Sequence, residues 1–104
     1  MKSDYGFQAT MTAKPGMGNE LIDVLLSALE PGKPASSEYC VVYLVSRSAS
    51  DADVVHVTEG WTTEEDHHRV FAGAPAQAIV ARVQELLGAS TGTDYTPING
   101  KAAF

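Results

Sequence analysis

Apolar positions recur along this chain with two periods, and the switches between them predict its elements. Phe7-Gln-Ala-Thr-Met-Thr-Ala13 alternates apolar with polar, which is a strand with one buried face. Lys14-Pro15-Gly16 turns the chain. From Met17 to Leu29 the residues Leu21, Ile22, Leu25, Leu26 and Leu29 fall at helical spacing. Glu30-Pro31-Gly32 ends that helix, because Pro31 cannot extend the hydrogen-bond ladder. After the polar loop 33–37, Tyr39–Arg47 is apolar on both faces except at its ends, the pattern of a strand covered on two sides. The turn 48–53 then leads into a third strand, Val54–Trp61, so these two strands predict a hairpin.

A helical pattern follows. Thr62 as N-cap with Glu65 three residues on is a capping box, predicting a short helix over Thr62–Phe71. Ala72-Gly73-Ala74-Pro75 breaks it, and Pro75 suits the first turn of the next helix. That helix carries Ile79, Val80, Val83, Leu86 and Leu87 as its stripe, with Gly88 placed to cap its end. Residues 89–93 read as a linker and Asp94–Ile98 as a last strand, which Pro97 confines to an edge or a terminus of the sheet. The tail Asn99–Phe104 is unassigned. The order is β-α-β-β-α-β with the second helical segment split in two: a ferredoxin-like α+β domain whose helices cover one face of an antiparallel sheet. The second strand is apolar on both sides, so the other sheet face needs cover as well. A second copy of the chain supplies it most economically, and a homodimer is expected.

Composition narrows the function classes. The 104 residues suit one domain, with its core over about residues 7–98, and the net charge of −6 argues against nucleic acid or an anionic membrane as partner. No stretch reaches membrane-spanning length, and Met-Lys-Ser-Asp-Tyr-Gly lacks the apolar segment of a leader. The one cysteine, Cys40, cannot form an internal disulfide, so the expected location is cytoplasmic. Within Cys-Val-Val-Tyr-Leu-Val it reads as a buried, inert thiol. No His/Cys/Asp spacing repeats a zinc or iron motif, so no metal site is expected.

The candidate chemistry gathers around the third strand. Val55, Val57, Glu59 and Trp61 share one face. Trp61 either fills the end of the core or offers a stacking wall with an N–H donor. Glu59, if buried, needs a partner such as Arg82, Lys14 or a backbone N–H; its other reading is a base with a raised pKa. His67 and His68 point about 100° apart on a helix and cannot face one site. One of the pair faces solvent, and a neutral imidazole on the other would accept a proton at physiological pH, against the plainer reading of a solvated histidine. His56 lies on the opposite strand face. Tyr43 packs in the second strand and could offer its hydroxyl, while Arg82 is either a surface residue or an anion clamp. Gly16 and Gly18 could hold an anion at the first helix, a weak signal without a longer Gly-rich pattern.

Three stretches carry a resemblance. Lys14-Pro15-Gly16, Cys40-Val-Val-Tyr43, and Glu59-Gly-Trp61 followed by Thr63-Glu64-Glu65-Asp66-His67 resemble the antibiotic biosynthesis monooxygenase family of the dimeric α+β barrel superfamily, whose pattern E-x-W-x-S-x-E-x-H takes Thr63 for Ser here. The likeness runs from about Phe7 to Ile98. It implies a homodimeric barrel with a pocket in each protomer between sheet and helices, and enzymes that oxidise polycyclic phenols or quinols with O2 without metal or flavin. Haem-degrading relatives carry a proximal His on this helix where Val70 or Phe71 stands, and an Asn on the first strand, which here offers Gln8; haem degradation is not implied. Some polyketide-oxidising relatives use an Asn where Val57 sits.

The expected function is a cofactor-independent monooxygenase for an aromatic phenol or quinol. His67 or Glu59 would act as base, Trp61 and Tyr43 would hold the ring, and Arg82 would stabilise developing charge. The alternative is a non-catalytic dimeric protein that binds small hydrophobic aromatics. A purely structural dimer, a third reading, predicts a pocket filled by side chains.

Overall fold

The computed structural model describes residues 2–102. Its elements are β1 (Tyr5–Ala13), α1 (Gly18–Leu26), β2 (Cys40–Arg47), β3 (Val54–Trp61), α2 (Glu64–Phe71), α3 (Ala74–Leu86) and β4 (Leu87–Tyr95). The strands form one antiparallel sheet in the order β2-β3-β1-β4, giving the expected ferredoxin-like α+β fold.

One sheet face packs against the helices. Leu21 and Leu25 of α1 and Val83 and Leu86 of α3 meet Val55 and Val57 of β3, and Tyr43 and Val45 of β2 join from the side. Full burial of Leu21 alone is worth about 2 kcal/mol. The other face carries Val42 and Leu44, both half-buried, and the glycine pair Gly6–Gly60. A Cβ on Gly6 would run into the ring of Tyr95, so glycine lets that ring lie against the sheet. A groove of about 560 Å³ on this face runs between Val41, Val42 and Thr58 and the tail residues Pro97 and Ile98.

Three local expectations are corrected. The largest is β4, which leaves α3 directly at Leu87, so residues 89–93 are strand and not linker, Gly88 is no helix cap, and Pro97 lies beyond the strand. This strand is exposed from Gly88 to Tyr95, so burial imposes no apolar alternation on it; hydrogen bonds to β1 along its length hold it. The first helix tightens into a 3-10 turn at Ser27–Leu29. The cap of α2 sits one residue later than expected: Thr63 Oγ1 accepts from the Asp66 backbone N–H at 3.0 Å, and the Thr62 hydroxyl donates to the Asp66 carboxylate.

The start of α1 is also settled. Asp53, from the β2–β3 loop, accepts from the N–H groups of Gly16 and Gly18 at 3.0 Å each. A side-chain carboxylate thus occupies the place where an anion was considered. Gly18 is buried against this loop, and a Cβ there would fall on the Ala52 carbonyl oxygen.

Candidate functional site

The end of the sheet opposite that loop carries the candidate chemistry. Antiparallel pairing sets Tyr5 beside Trp61, Phe7 beside Glu59, and Tyr43 beside Glu59 on the other flank. All these side chains face the helices, because residues two apart share a face. The cap at Thr63 then starts α2 so that His67, one turn in, comes down onto the same patch.

Two layers result. The lower one is a buried pair: Glu59 is 6% exposed, Trp61 is fully enclosed, and the indole Nε1–H donates to Glu59 Oε1 at 2.9 Å. This answers which group partners Glu59. It is neither Arg82 nor Lys14 but the neighbouring indole on the same strand. Burial pushes the Glu59 carboxyl up to about 7, and the Trp61 hydrogen bond only partly opposes that rise.

The upper layer is half-buried and aromatic. The His67 ring lies 5.1 Å from Phe7, 5.1 Å from Trp61, 5.6 Å from Tyr5 and 4.7 Å from Phe71, centroid to centroid. Its Nδ1 is buried without a hydrogen-bond partner, a costly arrangement. Burial, with the neighbouring His68, holds the His67 pKa down at about 4, although Asp94 pulls the other way. His67 is therefore neutral at physiological pH. His68 points outward and sits 3.8 Å from Glu64. At the layer's edge the Tyr5 hydroxyl donates to Asp94 Oδ1 at 3.2 Å, and burial followed by the Asp94 charge raises Tyr5 to about 12.

The remaining candidates fall elsewhere or are occupied. Trp61 is no open stacking wall: its N–H is committed to Glu59, and its indole is closed over by His67 and Phe71 at 5.8 Å. The Tyr43 hydroxyl donates to the Leu25 carbonyl at 2.7 Å, so it ties β2 to α1. Its pKa rises through burial and then the Glu59 charge. Arg82 is not at the site. It pairs with Glu20 on the first turn of α1 and with Glu85 at 2.7 Å, 42% exposed. That places it by the loop end of β3, a strand of roughly 23 Å, because α3 turns this residue outward between two carboxylates. His56 meets Thr10 Oγ1 at 3.0 Å on the other sheet face. Cys40 is half-buried, and burial lifts its thiol to about 12, which makes it a poor nucleophile.

Among the described residues, no group of three or more His, Cys, Asp or Glu side chains converges to hold a metal ion, and no helix is long and apolar enough to cross a membrane. The sequence reading missed Tyr5, Phe7, Phe71 and Asp94. The first two are signalled by their period-2 spacing on the face of Glu59's partner strand, and Phe71 by its place four residues after His67. Asp94 carried no signal, because it belongs to the misread strand.

Comparison with known structures places this geometry. A candidate antibiotic biosynthesis monooxygenase from Chloroflexus aurantiacus is 27% identical with a TM-score of 0.85, covering 96% of this chain and 98% of that one. A candidate monooxygenase of the same description from Deinococcus radiodurans is 18% identical, with a TM-score of 0.77 over 96% of this chain and 98% of the other. SnoaB, a cofactor-independent oxygenase from Streptomyces nogalater, has the same fold at 15% identity and a TM-score of 0.80, with 95% and 97% covered. A sequence comparison with curated proteins finds no match. The profile described as antibiotic biosynthesis monooxygenase matches residues 5–91, a span that holds Glu59, Trp61 and His67 together with the strands and helices that position them. By that match this chain belongs to the antibiotic biosynthesis monooxygenase family.

Proposed function

We propose that this protein is a monooxygenase that oxidises an aromatic phenol- or quinol-type substrate with O2, with Glu59 as the proton acceptor. One observation carries the reading: a buried carboxylate with a pKa of about 7 lies beneath a half-buried aromatic layer. A base titrating near the working pH combines availability with driving force, and the apolar surroundings that raise it also suit a flat ring. His67 changes role relative to the sequence expectation. At a pKa of about 4 it is a weak base with a buried Nδ1, and its part is that of one ring of the aromatic layer.

For an anthrone-type substrate the balance is simple. Glu59 takes a proton, and the delocalised anion gives one electron to O2. The resulting radical pair combines as a peroxide anion, which takes the proton back from Glu59, and loss of water leaves a carbonyl. The ring CH2 and O2 thus become C=O and H2O: one oxygen enters the product and the other leaves with both hydrogens. The substrate supplies all four electrons, so the reading calls for no metal or flavin.

The competing reading, a non-catalytic binding or accessory protein, is favoured by the Trp61 and Tyr43 donors being spent inside the protein. Oxygen uptake with a panel of anthrones and hydroquinones separates the two. The enzyme reading expects turnover above buffer, reduced at least about tenfold by His67→Ala and unchanged within about twofold by Arg82→Ala. No uptake with any substrate, or uptake indifferent to Glu59→Gln, rejects it. We also propose a homodimer joined through the uncovered sheet face, where Val42 and Leu44 stay half-exposed. Sedimentation should then read twice the 11.0 kDa chain mass, and a monomer at micromolar concentration would count against it.

A further inference from the structure

We infer that the site admits neutral or cationic aromatic molecules and turns away rings that carry a carboxylate, with Asp94 as the residue that sets this preference. The inference rests on the proposed aromatic site and adds the charge class of its ligand. Asp94 lies opposite Phe7 in the β1–β4 register and accepts from the Tyr5 hydroxyl at 3.2 Å, so it stands on the rim of the aromatic layer. Glu64 stands on the first turn of α2, three residues before His67. Its charge and that of Asp94 both reach Tyr5, and Asp94 also acts on His67. Glu59 adds a third carboxyl from below.

Among the described residues, no basic side chain offsets these acids at the rim. Arg82 is held by Glu20 and Glu85, Arg69 by Asp66 and the Tyr39 ring, and Arg47 by Asn19 and the Ala52 carbonyl. Lys2 and Lys101 line the groove on the other sheet face, and Lys33 lines a cavity between the α1–β2 loop and the start of α3. Lys14 follows β1 at its far end. The nearby imidazole of His68 faces Glu64. A carboxylate brought onto the aromatic layer would therefore meet only like charge in a partly desolvated place, whereas an ammonium would meet carboxylates and ring faces together.

The test uses fluorescence of the full chain under nitrogen, where Trp61 is the sole tryptophan and reports binding beside itself. The probes are 1,4-dihydroxynaphthalene, its 2-carboxylate and its 2-aminomethyl derivative at constant low ionic strength. The expected order is ammonium tightest and carboxylate weakest, with the carboxylate at least roughly tenfold weaker than the neutral ring. In Asp94→Asn, an exposed change that should leave the fold intact, that gap should shrink below about threefold. Equal affinity of the neutral and carboxylated probes, or a gap untouched by Asp94→Asn, overturns the selectivity while quenching by the neutral ring leaves the aromatic site standing. No quenching by any probe overturns the site and the selectivity together.

Discussion

At pH 8 the Glu59→Gln protein should melt at a higher temperature than the parent chain and have lost its oxygen uptake. Folding raises the Glu59 pKa from 4.5 to about 7, so the folded state holds that proton more tightly than the unfolded one. Stability from this group is complete below about 4.5 and falls as the pH rises through 7. The cost of carrying the buried charge at pH 8 is on the order of 3 kcal/mol. Glutamine removes the charge, and its carbonyl oxygen still accepts the Trp61 N–H. For a domain of this size the gain is roughly 10 °C in Tm at pH 8, shrinking to nothing at pH 4. Comparing the two proteins at each pH isolates Glu59 from His67, whose depressed pKa makes stability fall toward acid instead. Turnover should drop at least about 100-fold, the scale of a lost general base. Thermal melts and oxygen uptake at pH 4 and pH 8 check both halves.

Trp61→Phe should act in the opposite sense on stability and move the titration of Glu59 upward. The indole is fully enclosed, so the smaller ring leaves space and strips the carboxylate of the Trp61 N–H, its only side-chain donor among the described residues. A loss of about 2–4 kcal/mol combines the cavity with an unpaired buried acceptor. Because the Trp61 hydrogen bond is what holds the Glu59 pKa down against burial, its removal lifts that pKa above 7. Urea titration should show a lower midpoint at unchanged m-value. The pH at which turnover is half-maximal should rise, while a tryptophan that merely fills space would lower stability and leave that pH where it was.

The sequence disclosed the parts of this fold that burial patterns. Residues 54–61 alternate because one face of β3 meets the helices, and Leu21 and Leu25 recur at helical spacing because α1 lays one stripe on the sheet. β4 escaped because its side chains are exposed and only its backbone bonds to β1 define it. The same reason hid Asp94. Glu59 and Trp61 were legible as a pair, since the strand period fixes their face, and His67 joined them through the resemblance carried by Glu59-Gly-Trp61 and Thr63–His67. Their division of labour was not, because it turns on distances: an indole 2.9 Å from a carboxylate closes off one donor, and four rings around an imidazole depress its basicity. Arg82 was misplaced because a helix position constrains direction but not which end of a strand the residue reaches.

The pH dependence of kcat/KM for oxygen uptake bears most directly on Glu59 as the working base. The rate should climb with pH along a single limb whose midpoint lies near 7, the value burial gives this carboxyl. A limb centred near 4 would hand the role to His67, and a profile preserved in Glu59→Gln would contradict the account outright.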